Sequence, residues 1–353
     1  MLSNKTLVII GGGPRGLACA IEGLNKFKSI YIIDEHPTDS WNTISTVANF
    51  QLRSPVSFDL VTYSNNKEYS LSKYLFNEET TITNHKDIEE DSRRLNRVDF
   101  FNYLCWVKDK LQNNNVSFIY TNVLSIYNNY ITTNNGDINF DYLILAQGTK
   151  EKELPSNLYK YRRTTNIDIL NNNYKSILVV GGGQGAFDIA SYLHTKNINV
   201  GLYIKKIPKI SQFPAPCYNI WKERSALSNY CSSLISIEAR IRYVKTVKDW
   251  GPSITPNNEY LLNTISIHID ENIDNIMSQY SNTFISRIGV NPINILNINP
   301  LTDINKNFNI KNTNIYITGP LTTVMDGPRT NSILSSSSTA IKIIGDIEIN
   351  ASI

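Results

Sequence analysis

Two short stretches, "NKTLVIIGGGPRGLACA" (residues 4–20) and "KSILVVGGGQGAFDIA" (175–190), carry one pattern twice, about 170 residues apart. Each opens with a short apolar run rich in β-branched residues, as expected of a strand buried on both faces. A glycine-rich turn comes next, Gly11-x-Gly13-x-x-Gly16 in the first copy and Gly181-x-Gly183-x-x-Ala186 in the second. Helical apolar spacing then takes over. A chain that does this twice is confined to α/β folds in which parallel strands alternate with helices.

Such a turn has a physical purpose. The first glycine permits a tight bend, the second lets backbone approach a pyrophosphate, and the third lets helix pack on strand. The anion then rests on free amides at the positive helix end. Pro14 falls at the helix start, where its missing N–H costs little. Arg15 completes the first turn, and Gln184 and Gly185 complete the second. Beyond their turns the two copies diverge. The next strand of the first copy, "SIYIID", ends in Asp34-Glu35, 23 and 24 positions beyond Gly11. A carboxylate there can bond both hydroxyls of an adenosine ribose. The same offsets from Gly181 reach Ile204 and Lys205, with Lys206 next. A free 2′-hydroxyl suits the acidic pair and a 2′-phosphate suits the cationic pair. FAD at the first site and NADPH at the second is the economical assignment. Solvated lysines at a strand end are the plain alternative for the second pair.

The fold class expected is therefore α/β, with two doubly wound, Rossmann-like dinucleotide-binding domains. The 353 residues exceed what one core commonly fills. The strand "FDYLILAQGT" leads to a Gly148 turn, where the chain leaves the first unit; near "NTFISRIGVNP" (282–292) it crosses back. Residues 1–155 and 291–353 are assigned to an FAD domain, 165–290 to an inserted NADPH domain, and 156–164 to a linker. The segment "RVDFFNYLCWVKDKL" (97–111) reads as an amphipathic helix with Phe100, Phe101, Leu104, Val107 and Leu111 on its core face. The tail, with "IYITGP" containing Gly319 and Pro320, reads as strand, turn, loop and helix.

Composition excludes other classes. The net charge of +3 is small, and no basic stripe marks a nucleic-acid partner. No run of 18 apolar residues suggests a membrane span. The amino terminus enters a strand directly, without a signal region, and the four cysteines include no C-x-x-C pair, so a cytoplasmic protein is expected. The four histidines show no ligand spacing, so no metal is expected.

"GGGPRG", "LILAQGT", "GGGQGA" and "IYITGP" together resemble the two-dinucleotide flavoproteins. Within them the chain is similar to the class B flavin-dependent monooxygenases. "GGGQGAFDIA" is close to the G-G-G-Q-S-A-A-E turn of lysine and ornithine N-hydroxylases. "LRSPVSFDLVTY…SLSKYL…RRLNRVDFFNYLCWV" looks like their segment joining flavin and substrate regions, with Arg97, Phe100, Tyr103 and Trp106 matching R-x-x-F-x-x-Y-x-x-W. The resemblance implies that reduced flavin captures O2 as a C4a-hydroperoxide and oxygenates a small molecule, an amine nitrogen in the leading case. "SWNTIS" keeps Trp41 but lacks the G-G-x-W of many class B enzymes, and 207–280 matches no substrate pattern. Arg53 and Ser54 in "FQLRSP" are candidates for the flavin edge or the substrate, and Asp326 and Arg329 in "MDGPRTN" for residues near the flavin. A surface salt bridge (Arg53), core packing (Trp41, Trp106) and an ordinary turn (Asp326, Arg329) are the plain alternatives. Two other functions stay open at this point. One is an NADPH:acceptor oxidoreductase delivering electrons to a quinone or ferredoxin. The other is a flavin-binding protein without catalysis.

Overall fold

A computed structural model describes residues 2–39, 41, 50–77, 94–165, 168, 174–210, 239, 253–254, 256–288, 290–300, 302–322 and 333–352. Its first strands are β1 (Thr6–Ile10), β2 (Ser29–Ile33), β3 (Gln51–Pro55), β4 (Arg94–Asn96) and β5 (Val116–Ile119). Next come β6 (Val123–Ile126), β7 (Tyr130–Thr133), β8 (Gly136–Asn139), β9 (Tyr142–Leu145) and β10 (Thr149–Glu151). Then come β11 (Arg162–Thr164), β12 (Ser176–Val180), β13 (Asn199–Ile204), β14 (Lys209–Ile210) and β15 (Ser253–Ile254). The last are β16 (Ser266–Ile269), β17 (Thr283–Ser286), β18 (Val290–Pro292) and β19 (Ile315–Ile317). The helices are α1 (Pro14–Gly23), α2 (Leu71–Phe76), α3 (Arg97–Asn113), α4 (Gln184–Thr195), α5 (Leu261–Thr264), α6 (Ile273–Met277) and α7 (Leu334–Asn350).

Two parallel sheets carry the architecture, with orders β19-β9-β1-β2-β5 and β11-β17-β12-β13-β16. The orders correspond. In each sheet the strand of the glycine fingerprint is central, and from it the chain runs outward on one side before crossing to the other; the far edge strand comes last in the first sheet (β19) and first in the second (β11). The reversal lies between β1 and β9 in the first sheet and between β12 and β17 in the second. Open α/β sheets bind their ligands at the carboxyl ends of the strands beside such a switch point. Arg162–Thr164, inside the segment read as a linker, is the edge strand of the second sheet, paired with β17. Strands β10 and β18 pair antiparallel, Thr149 opposite Pro292, where the chain passes between the sheets in both directions.

Apolar runs form these strands because both sheet faces are covered. Along β12, Ile177 and Val179 join one core cluster while Leu178 and Val180 join the other. Around the first sheet, α1, α3 and α7 bury Leu17, Ile21, Leu104, Val107, Ile343 and Ile344 in one continuous core. Each such side chain contributes about 1.5–3 kcal/mol through burial. In α3 the buried face is Phe100, Tyr103, Leu104, Val107 and Leu111, with Phe101 only half buried. Tyr103 takes the place expected for Phe101 because positions 100, 103, 104, 107 and 111 share one helical stripe. Its hydroxyl remains satisfied, donating to the Tyr69 carbonyl at 2.8 Å. Among the described residues no helix is long and apolar enough to cross a membrane. The Cys19 thiol is buried in α1, and burial pushes its pKa up to about 12, so it packs as a small apolar group.

A buried carboxylate shapes the segment before α2. Asp59 accepts the Val61 amide at 2.6 Å and the Leu71 amide at 2.9 Å, stapling the loop to the first turn of α2. Loss of water outweighs these bonds and raises its pKa from 3.8 to about 6. The folded state thus holds the proton to higher pH than the unfolded chain. Stability from this group is full below about pH 4 and is lost as pH rises to about 6. Relative to Asp59→Asn, whose side chain does not titrate, the native protein should lose roughly 2–3 kcal/mol across that window. Urea unfolding of both proteins at several pH values checks this, and parallel curves would refute it.

Candidate functional site

The first crevice opens where β1 and β9 part. Gly11 has φ +110°, and a Cβ there would strike the Ala146 carbonyl at the end of β9. Its amide donates to the Ile33 carbonyl at 2.9 Å, so the turn is tied to β2. Gly13 is the N-cap of α1 in extended conformation, with Pro14 in its first turn, and a Cβ on Gly13 would meet no protein atom within 4 Å. That open side is where an anion can reach the helix amides. Gly16 is buried in the first turn of α1.

Asp34 holds this turn. Its Oδ2 accepts the Gly12 amide at 2.7 Å and its Oδ1 accepts the His36 amide at 2.9 Å. Glu35 beside it is exposed. Both line a cavity of about 280 Å³ with Gly11, Thr121, Gln147 and Ile293. The Thr121 Oγ1 in that lining is buried without a hydrogen-bond partner among the described residues. A polar group so placed costs free energy until a ligand meets it.

Other candidates for the first site scatter around this crevice. Arg15 reaches the tail of the chain, donating to Thr318 Oγ1 at 3.3 Å and Ser335 Oγ at 2.7 Å. It braces the turn against β19 and α7. Gly148 (φ +72°) lies with Gln147 in a small recess after β9, and Gly319 (φ +96°) precedes a short helical turn begun by Pro320. Trp41 packs on Phe100 at 4.8 Å, at the head of an aromatic row that runs through Tyr103 to Trp106. Ser54 lies in β3, half buried, and Arg53 shares that strand; the side chain of Arg53, and all of Asp326 and Arg329, lie outside the described residues.

The second crevice repeats the design at larger scale. Gly181 has φ +143°, and a Cβ there would strike the Arg287 carbonyl. Gly183 is the extended N-cap of α4, Gln184 and Gly185 begin that helix, and Ala186 is buried within it. Lys205 and Lys206 come directly after β13, exposed, and line a cavity of about 860 Å³ with Gly181, Gly182, Gly183, Lys152 and Arg287. Arg287 stands after β17 as Ala146 stands after β9. Burial draws its guanidinium pKa down, and the nearby Arg163 and Arg97 add to this. Glu151 Oε1 approaches its Nη1 at 3.6 Å.

The structure brings Gly11 together with Asp34 and Glu35, and Gly181 and Gly183 with Lys205 and Lys206, all residues singled out in the sequence. Thr121, Gln147, Ile293, Lys152 and Arg287, which the sequence does not single out, reach the crevices from other strand ends. The signal for Arg287 was the duplication: aligning "LILAQGT" with "FISRIGV" sets it opposite Ala146.

Fold and crevices define a protein of two Rossmann-like α/β units. The family model of L-lysine 6-monooxygenase/L-ornithine 5-monooxygenase matches residues 4–215, and the chain belongs to that family. A search of the curated proteins returned no match. The solved structure of an ornithine N-hydroxylase from Kutzneria sp. 744, with reduced FAD, NADP+ and L-ornithine, is similar at TM-score 0.74 and 14% identity, the match covering 99% of this chain and 100% of that one. L-lysine 6-monooxygenase from Pseudomonas syringae matches at TM-score 0.71 and 18% identity, over 98% of this chain and 99% of that one. Ornithine hydroxylase from Pseudomonas aeruginosa matches at 0.72 and 14%, over 97% and 98%.

Proposed function

We propose that the chain is an FAD-dependent, NADPH-consuming monooxygenase that N-hydroxylates the amine of a small molecule, using O2, in the cytoplasm. In this assignment residues 1–155 and 291–353 hold FAD and 165–290 hold NADPH. The observation that carries it is the unlike chemistry at two matching strand ends, Asp34-Glu35 beside one cavity and Lys205-Lys206 beside the other. FAD when bound supplies the ring that accepts hydride and activates oxygen, and NADPH supplies the hydride.

The chain's own residues then bind and orient. The amides at the start of α1 receive the FAD pyrophosphate, with Gly13 leaving room for it. Asp34 fixes the turn and Glu35 faces the ribose, while the Thr121 hydroxyl, unpartnered among the described residues, offers a polar contact to the adenosine. Lys205 and Lys206 take the 2′-phosphate of NADPH, and Arg287 stands at its pyrophosphate end.

Under air, the purified protein should oxidise NADPH slowly and release hydrogen peroxide. Adding the right amine should lower the peroxide yield and form hydroxylamine. Fast anaerobic turnover with a quinone or dye, with no amine altering the peroxide yield, would replace this function with a reductase. A bound flavin that NADPH fails to bleach anaerobically would leave a flavin-binding protein without catalysis.

A further inference from the structure

One buried carboxylate joins the two halves. Asp188 sits in the second turn of α4, five residues beyond Gly183, and is only 5% exposed. Its Oδ1 accepts from Gln184 Nε2 at 2.6 Å and from Asn258 Nδ2 at 2.8 Å. Its Oδ2 faces Arg97 Nη2 at 3.8 Å, across from the other half of the molecule. Arg97 is the first residue of α3 and comes directly after β4. Its amide donates to the Phe50 carbonyl at 2.7 Å, closing the end of the β3–β4 ribbon where Gln51 pairs with Asn96. The Phe50 side chain in turn packs against the core of the second sheet.

The carboxylate therefore ties Gln184, the first helical residue after Gly183, to the ribbon that carries Arg53 and Ser54. Resting on the function proposed above, we infer that Asp188 is a positioning residue: through Arg97 it sets where the turn that takes the NADPH pyrophosphate stands relative to the flavin side. A one-ångström misplacement of reacting groups can cost about a hundredfold in rate, so a joint at this place has leverage on hydride transfer.

Asp188→Asn targets the link, because the amide oxygen can still accept from Gln184 and Asn258 while the anion facing Arg97 is gone. The limiting rate of anaerobic flavin reduction at saturating NADPH should fall about tenfold or more, with the Kd for NADP+ moving less than about threefold. Arg97→Met/Asp188→Asn removes the half-buried cation as well. Its melting temperature should recover in part relative to Asp188→Asn, since the half-buried guanidinium that has lost its facing carboxylate is removed with it. Its reduction rate should stay low. Recovery of the rate along with the melting temperature would make the pair merely structural and overturn the inference.

A second readout needs no turnover. NADP+ bound at the α4 turn should slow hydrogen exchange at the Arg97 amide and along β3–β4 in the native protein. In Asp188→Asn that protection should stop at α4. Protection that still crosses into β3–β4 in the variant would also overturn the inference. If the native flavin is not reduced by NADPH at all, the proposed function fails, and the exchange experiment still decides the joint.

Discussion

Gly11→Ala is expected to purify with little or no flavin, its affinity for FAD reduced at least about a hundredfold. The residue stands at φ +110°, a backbone state that alanine enters only under strain. The added methyl would also point into the Ala146 carbonyl, backbone of the neighbouring central strand that cannot swing aside. The turn must therefore move, and moving it stretches the Gly11 amide bond to Ile33 and the Gly12 amide bond to Asp34. Gly13→Ala separates the two causes. Its backbone is extended, and its methyl would meet no protein atom within 4 Å. Gly13→Ala should keep the native melting temperature and lose flavin only because the methyl occupies the pyrophosphate's approach. Gly11→Ala should lose both. Flavin content per polypeptide and thermal unfolding decide the matter, and a yellow, fully loaded Gly11→Ala protein would remove FAD from this crevice.

The contrast between these glycines shows what was legible in the sequence. A glycine turn between a β-branched run and a helix reports on a few consecutive residues, so both copies, and the strand ends after them, can be read directly. Thr121, Gln147 and Ile293 reach the first crevice from strand ends and a return crossing more than a hundred residues apart in places. Only the sheet order brings them together, and local periodicity carries no trace of it. Asp188 illustrates a different limit. In "GGGQGAFDIA" it reads as a polar residue on an amphipathic helix, yet it is buried and faces a guanidinium of the other half. Burial of a charge is decided by what packs over it, which a single sequence does not contain. Tyr103 belongs to the same class, since its phenol is core only because the Tyr69 carbonyl waits for its hydroxyl. Arg97 could be picked out by its motif, although the motif names a helix and not the contact it makes.

Lys205→Ala/Lys206→Ala should raise the KM for NADPH by roughly thirtyfold while leaving the KM for NADH within about twofold of native. Lys205 stands after β13 at the place where Glu35 stands after β2, with Lys206 one position further on, so in the proposed function they would meet the ribose end of the adenosine. A 2′-phosphate there would carry two charges against two ammonium groups, whereas the ribose of NADH offers them only a hydroxyl. Both lysines are exposed, which keeps the effect moderate and makes it depend on salt. The preference for NADPH over NADH should therefore shrink in the native protein as ionic strength rises, and hardly change in the variant. Arg287→Ala supplies the opposite pattern. It lines the same cavity at the glycine turn, the pyrophosphate end that both coenzymes share, so it should weaken NADPH and NADH alike. Equal losses for the two coenzymes in the double lysine variant would mean that no phosphate is read at that strand end. The acidic and cationic strand ends would then no longer distinguish the two dinucleotides.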